Sequence, residues 1–159
     1  MIRAATTSVD DTRALAAEIA SLSAPGDLIV LAGDLGTGKT AFAQGFARGL
    51  GVEEPVTSPA FILVRTYEGR LPLVHLDVYR LETMQEMVDL GIAELLDDGG
   101  VTLVEWGDAV TPALPADFLE VRLEAPSGPD DRLLTIRSVG PGGPPRAGAL
   151  RRAMAPWTV

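Results

Sequence analysis

The stretch Gly33-Asp34-Leu35-Gly36-Thr37-Gly38-Lys39-Thr40 fits the pattern GxxxxGK[ST], a spacing suited to holding a chain of phosphates. Glycines let such a loop curl into a nest whose main-chain N–H groups converge on an anion, and a helix starting at its end adds a positive pole. Asp34, Leu35, Gly36, Thr37 and Gly38 supply that backbone. Lys39 then serves as a point charge for the β- and γ-phosphates of a nucleotide, and the Thr40 hydroxyl is a ligand for Mg²⁺. Lys39 is the only lysine among thirteen basic residues, and it stands where a compact ammonium suits crowded phosphates better than a guanidinium. A phosphate loop specifies a nucleotide and leaves the reaction open, so acids are needed to hold the metal and orient an attacking group. Asp77, near the end of the run LVHLD, and Glu105, ending VTLVE, both qualify. A carboxylate at the carboxyl end of a central strand faces the crevice where the loop lies. Spacing alone leaves the choice between them open.

The elements around these residues follow from periodicity. Leu15, Ala16, Ile19 and Leu22 recur at helical intervals over 10–22, with Ser8 or Asp10 as N-cap. The unbroken apolar run 28–32, between Pro25-Gly26 and Gly33, predicts a strand buried on both faces at the centre of a sheet. Phe42, Phe46 and Leu50 mark a helix over 39–50 that stops at Gly49 and Gly51. Runs at 61–67 and 73–79 predict an antiparallel hairpin with an exposed tip at Glu68-Gly69-Arg70. Residues 82–98 read as two short acidic helices broken at Gly91. Strands are expected at 101–105, 118–124 and 133–139. The fold class is therefore α/β: one P-loop NTPase-like domain over 1–139, with a mixed, mainly parallel central sheet flanked by helices. The Pro/Gly-rich segment 140–159, with Arg146, Arg151 and Arg152 and no carboxylate, reads as a flexible tail.

Composition narrows the function further. The 159 residues amount to one domain, and 47% hydrophobic with 22% charged residues excludes a disordered or fibrous chain. A net charge of −9 repels phosphate backbones, so a nucleic acid is expected to reach this protein only through a partner. The absence of cysteine excludes disulfides, thiol nucleophiles and thiolate metal centres. No apolar stretch has the length of a signal peptide or a membrane span, and the expected location is cytoplasmic.

Five segments taken in order resemble one family. They are GDLGTGKT at 33–40, TSPAF at 57–61, HLDVYRL at 75–81, LGI at 90–92 and VEW at 104–106. Together they look like TsaE (YjeE), the bacterial P-loop ATPase of threonylcarbamoyladenosine formation on tRNA, across about residues 8–138. The resemblance implies an ATPase, weak alone, that works with Mg²⁺ in complex with TsaD and TsaB. That pair installs the threonylcarbamoyl group at position 37 of ANN-decoding tRNAs, and tRNA would meet this chain only through the complex. It further implies that Lys39 and Thr40 bind phosphate and Mg²⁺, that Glu105 ligates or orients the metal, and that Asp77 shares its network. Thr57 and Ser58 would lie in a switch-like loop, Thr12 beside the adenine, and Asp108 and Arg132 at nucleotide-contacting positions. Trp106 looks like the family's tryptophan beside the active-site acid. His75, on the same strand face as Asp77, suits a hydrogen-bonding role better than that of a general base.

Two departures stand out: Ala60 replaces the threonine of many relatives, and Thr37 replaces the commoner alanine. No arginine finger is evident, and Arg80 is placed to pair with Asp77. Two other functions share the loop, a small-molecule or nucleoside kinase and a nucleotide-dependent interaction module. Kinases bring arginines over the phosphates, whereas the region after this hairpin is acidic. In the module, nucleotide binding alone would order residues 55–68.

Overall fold

The computed structural model describes residues 1–57, 64–77, 94, 99–105, 115, 117–140 and 146–159. Its central strands are the apolar runs of the sequence. β2 (Leu28–Ala32), β4 (Leu73–Asp77) and β5 (Val101–Glu105) are buried at every position, as strands covered on both faces must be. β6 (Phe118–Glu124) and β7 (Arg132–Val139) are more mixed in burial. With β1 (Ile2–Thr6) and β3 (Val64–Tyr67) they form a seven-stranded sheet in the order β1-β7-β6-β2-β5-β4-β3. Strands β6, β2, β5 and β4 pair in parallel, while β3 and β7 run against them. The expected mixed, mainly parallel α/β sheet is what forms.

The helix α1 (Val9–Ser21) starts at Ser8, whose Oγ accepts the Asp11 N–H at 3.0 Å, with Asp10 and Asp11 in the first turn. Helix α2 (Lys39–Gly49) follows the loop without a break, and Phe42 and Phe46 stack on its buried face at 6.3 Å. The two helices touch backbone to backbone. A methyl on Gly49 would lie 2.6 Å from the Ala17 carbonyl oxygen, and one on Gly45 would strike the backbone of Arg13. Leu15, Ile19, Phe42 and Phe46 close over Ile29, Leu31, Leu103 and Val121 to form the core on this face of the sheet.

Two expectations change. β1 was not legible as a strand, because IRAAT has few strand-forming side chains and abuts a helix signal. It forms by pairing antiparallel with β7, Ile2 opposite Ile136 through Thr6 opposite Arg132. The tail expected from residue 140 does not describe 146–159, which packs on the domain. There α3 (Ala147–Met154) buries Leu150 and Met154, and a 3-10 turn (Ala155–Trp157) follows. Arg146 bonds Leu22 O and Asp27 at 2.6 and 2.7 Å, and Trp157 Nε1 donates to Asp11 at 2.7 Å. Val159 N donates to Arg3 O at 3.0 Å, and Thr158 bridges Ala4. Eight helical residues are too few to persist alone, so this helix depends on those contacts.

The expected hairpin is present as Val64–Tyr67 against Leu73–Asp77. Residues 61–63 and 78–79 lie outside the described residues. So do the expected acidic helices, apart from an exposed Glu94, and Ser58, Pro59, Ala60, Arg80, Trp106 and Asp108. Among the described residues no helix is long and apolar enough to cross a membrane.

Candidate nucleotide-binding site

The loop 33–38 joins the end of β2 to the start of α2. Its curvature needs backbone angles that L side chains rarely adopt: Gly33, Gly36 and Gly38 have φ of +147°, +79° and +101°. Gly33 also has no room for a side chain, since a Cβ would sit 2.6 Å from Leu123 O. Asp34, Leu35 and Gly36 are exposed at the tip, whereas Thr37 is buried and its hydroxyl donates to Asp34 O at 2.7 Å. Lys39 folds back along the loop. Its Nζ donates to Gly33 O at 2.7 Å and Asp34 O at 2.9 Å, which keeps a nearly buried ammonium at the start of the helix.

Strand order sorts the two acids. Glu105 lies opposite Leu31 on β2, the strand that feeds the loop, and Asp77 lies opposite Glu105 one strand further out. At about 4.8 Å per strand, Asp77 is roughly twice as far from β2 as Glu105. Both are largely buried, Asp77 8% and Glu105 3% exposed. His75 is fully buried on β4, and its Nε2 meets Glu105 Oε2 at 3.0 Å. If Nε2 carries the proton, it donates to that oxygen and fixes the orientation of the carboxylate. The hydrogen-bonding role expected of His75 is thus present, directed at Glu105. Its Nδ1 has no partner among the described residues.

Two residues do different work from an open ligand contact. Arg132 donates from Nε to Thr37 O at 2.9 Å and from Nη2 to Gly36 O at 3.3 Å, with Nη1 on Pro129 O and Asp131 O. All four bonds go to main-chain carbonyls, and the two to Gly36 and Thr37 brace the loop itself. Thr12 is 2% exposed and its hydroxyl lies 2.7 Å from that of Thr6, a buried bond between α1 and β1. Since Thr6 is opposite Arg132 in the sheet, this pair still borders the loop region. Thr57 is exposed at the end of the 52–57 segment.

One cluster went unread in the sequence. Arg13 on α1 donates from Nε and Nη2 to Gln44 Oε1 on α2, at 3.2 and 2.8 Å, and Gln44 Nε2 donates to Val56 O at 3.3 Å. Arg13 and Gln44 are 31 residues apart, so no local pattern announces them.

The donors near the loop fit Mg²⁺ held with a nucleotide's phosphates: one threonine hydroxyl on α2 and one oriented carboxylate. Among the described residues no three His, Asp or Glu side chains converge to hold a metal unaided. Mg²⁺ commonly uses one or two carboxylates together with phosphates and water.

A model of the family described as threonylcarbamoyl adenosine biosynthesis protein TsaE matches residues 6–133. The chain is 43% identical over 136 residues to the tRNA threonylcarbamoyladenosine biosynthesis protein TsaE of Bacillus subtilis, covering 85% of this chain and 84% of that one. It is 41% identical over 122 residues to the protein of the same name from Treponema pallidum, covering 77% and 90%. The crystal structure of Bacillus subtilis YdiB superposes with a TM-score of 0.78 over 98% of this chain and 97% of that one, at 33% identity. Because the matched stretch begins in β1 and ends in β7, and so takes in every strand that carries the site, the chain belongs to the TsaE family.

Proposed function

We propose that this chain is the Mg²⁺-dependent ATP-binding and ATP-hydrolysing subunit for threonylcarbamoyladenosine modification of tRNA, working in the cytoplasm with TsaB and TsaD. The observation that carries this reading is the glycine-bent loop at the end of β2, with a histidine-oriented carboxylate on the next strand. Family membership supports the pathway, and the names of the relatives support the tRNA product.

In this reading the main-chain N–H groups of 34–40 and the start of α2 take the phosphates. Lys39 exchanges its two carbonyl partners for phosphate oxygens, a gain because hydrogen bonds between ionised groups are stronger than those to neutral ones. Bound Mg²⁺ would neutralise charge developing on the phosphates, with Thr40 and Glu105 as its protein ligands. Asp77, one strand out, holds water or the second coordination shell, and Thr57 closes over the phosphates from the 52–57 side. The acidic surface of the chain, at net charge −9, repels tRNA, which therefore engages TsaB and TsaD.

Calorimetric titration of ATP with and without Mg²⁺ tests the reading. Lys39→Ala is expected to weaken binding about 100-fold, equivalent to two charge-assisted hydrogen bonds of about 1.5 kcal/mol each. Glu105→Gln should abolish the Mg²⁺-dependent gain in affinity, and Asp77→Asn should only reduce it. A wild-type chain that binds no ATP, or a Glu105→Gln variant with the full metal-dependent gain, would overturn the proposal.

A further inference from the structure

We infer that Gln44 is a positioning residue, which clamps the 52–57 segment to α2 so that Thr57 is delivered to the metal and phosphates held by Thr40. The inference rests on the nucleotide reading above. Thr40 and Gln44 are four residues apart on α2, so they share a helix face one turn apart, about 6 Å along the axis. Gln44 Nε2 donates to Val56 O at 3.3 Å, and Thr57 is the next residue. One extended residue spans about 3.3 Å, so holding Val56 O also holds the backbone of Thr57 close to α2.

The clamp is doubly secured. Val52 N donates to Ala47 O at 3.0 Å, tying the start of the segment to the last turns of α2, while Gln44 ties its end. Val52 and Val56 are buried in the core cluster, and the three residues between them are exposed. Gln44 itself is held by the fork of Arg13, which in turn is paired with Asp10 at 2.9 Å. An amide is the side chain this geometry needs, because it accepts from Arg13 through one atom and donates to Val56 O through the other. With the Arg13 guanidinium on Oε1, the Nε2 donor is turned towards the segment. A cleft of about 330 Å³ beside Arg13, Gln44 and Val56 leaves the segment room to shift when the clamp is lost.

The experiment measures the Mg²⁺-dependent gain in affinity for a non-hydrolysable ATP analogue in the full-length chain. Gln44→Met keeps the length and removes all three side-chain hydrogen bonds, and is expected to cut that gain about 5-fold while leaving metal-free ADP affinity unchanged. Gln44→Glu keeps the acceptor for Arg13 but loses the donor for Val56 O, and is expected to cut the gain as far as Gln44→Met does. Thr57→Val should lower it similarly, and adding Gln44→Met to Thr57→Val should then change nothing further, because both act through one hydroxyl. A general loss of structure would instead multiply the two effects and lower ADP affinity as well, and either result overturns the inference. An unchanged gain in Gln44→Met, with wild-type binding intact, overturns it while leaving the nucleotide reading standing. A wild-type chain that binds no nucleotide overturns both.

Discussion

Arg132 shows how a charged side chain can brace a glycine-rich loop from behind. In a trans peptide the C=O and N–H point in opposite directions, so anchoring Thr37 O to the guanidinium turns the Gly38 N–H the other way. The neighbouring Gly36 O is held by a second nitrogen of the same plane. A lysine has one compact ammonium and cannot span these carbonyls as a rigid fork. Arg132→Met is therefore expected to lower ATP affinity about tenfold, close to one hydrogen bond of about 1.4 kcal/mol, and Arg132→Lys should recover little of it. Titration calorimetry on both variants checks this; equal, wild-type affinity would mean the loop holds its shape without the fork.

The contact between α1 and α2 sets the next level of control. Glycine within a helix normally costs about 1 kcal/mol relative to alanine, so an alanine at 45 in an open helix would stabilise the chain. Here the added methyl would press on the Arg13 backbone, and the helices must part to admit it. Gly45→Ala is expected to destabilise by about 1–3 kcal/mol, read as a lower urea midpoint. Because Lys39 and Thr40 open the same helix, its ATP affinity should fall as well. A rise in the urea midpoint would show that the helices are not in close contact.

Across the molecule, the C-terminal segment fastens the edge furthest from β3. It crosses α1 and β1, bringing Trp157 to Asp11 and Val159 to Arg3, so the first and last residues of the chain stabilise one another. Deleting 146–159 exposes the surface that Leu150 and Met154 cover, worth about 1.5–3 kcal/mol for each side chain. With part of that offset by the ordering of the segment, a net loss near 3 kcal/mol should lower Tm by roughly 6–12 °C. Thermal unfolding of the truncated chain followed by circular dichroism measures it, and an unaltered Tm would show that the segment adds nothing to the fold. Asp11 also accepts the Thr7 N–H, so the same deletion loosens the turn between β1 and α1.

The glycine-bent loop, the all-apolar strand before it, the helix after it and the two candidate acids were legible from residue order, because each depends on neighbours within about ten positions. The family resemblance rested on the same short segments. Strand order was not legible: that β5 lies between β2 and β4 makes Glu105, not Asp77, the acid beside the loop strand, and no local periodicity carries that information. Nor could residue order show His75 on Glu105, Arg132 on the loop, or Gln44 on Val56, pairs separated by 30, 95 and 12 positions. β1 and α3 are weak elements by propensity that exist because they cover the edge and flank of the sheet. Such choices are made by the free energy of packing distant segments together, which local composition does not record.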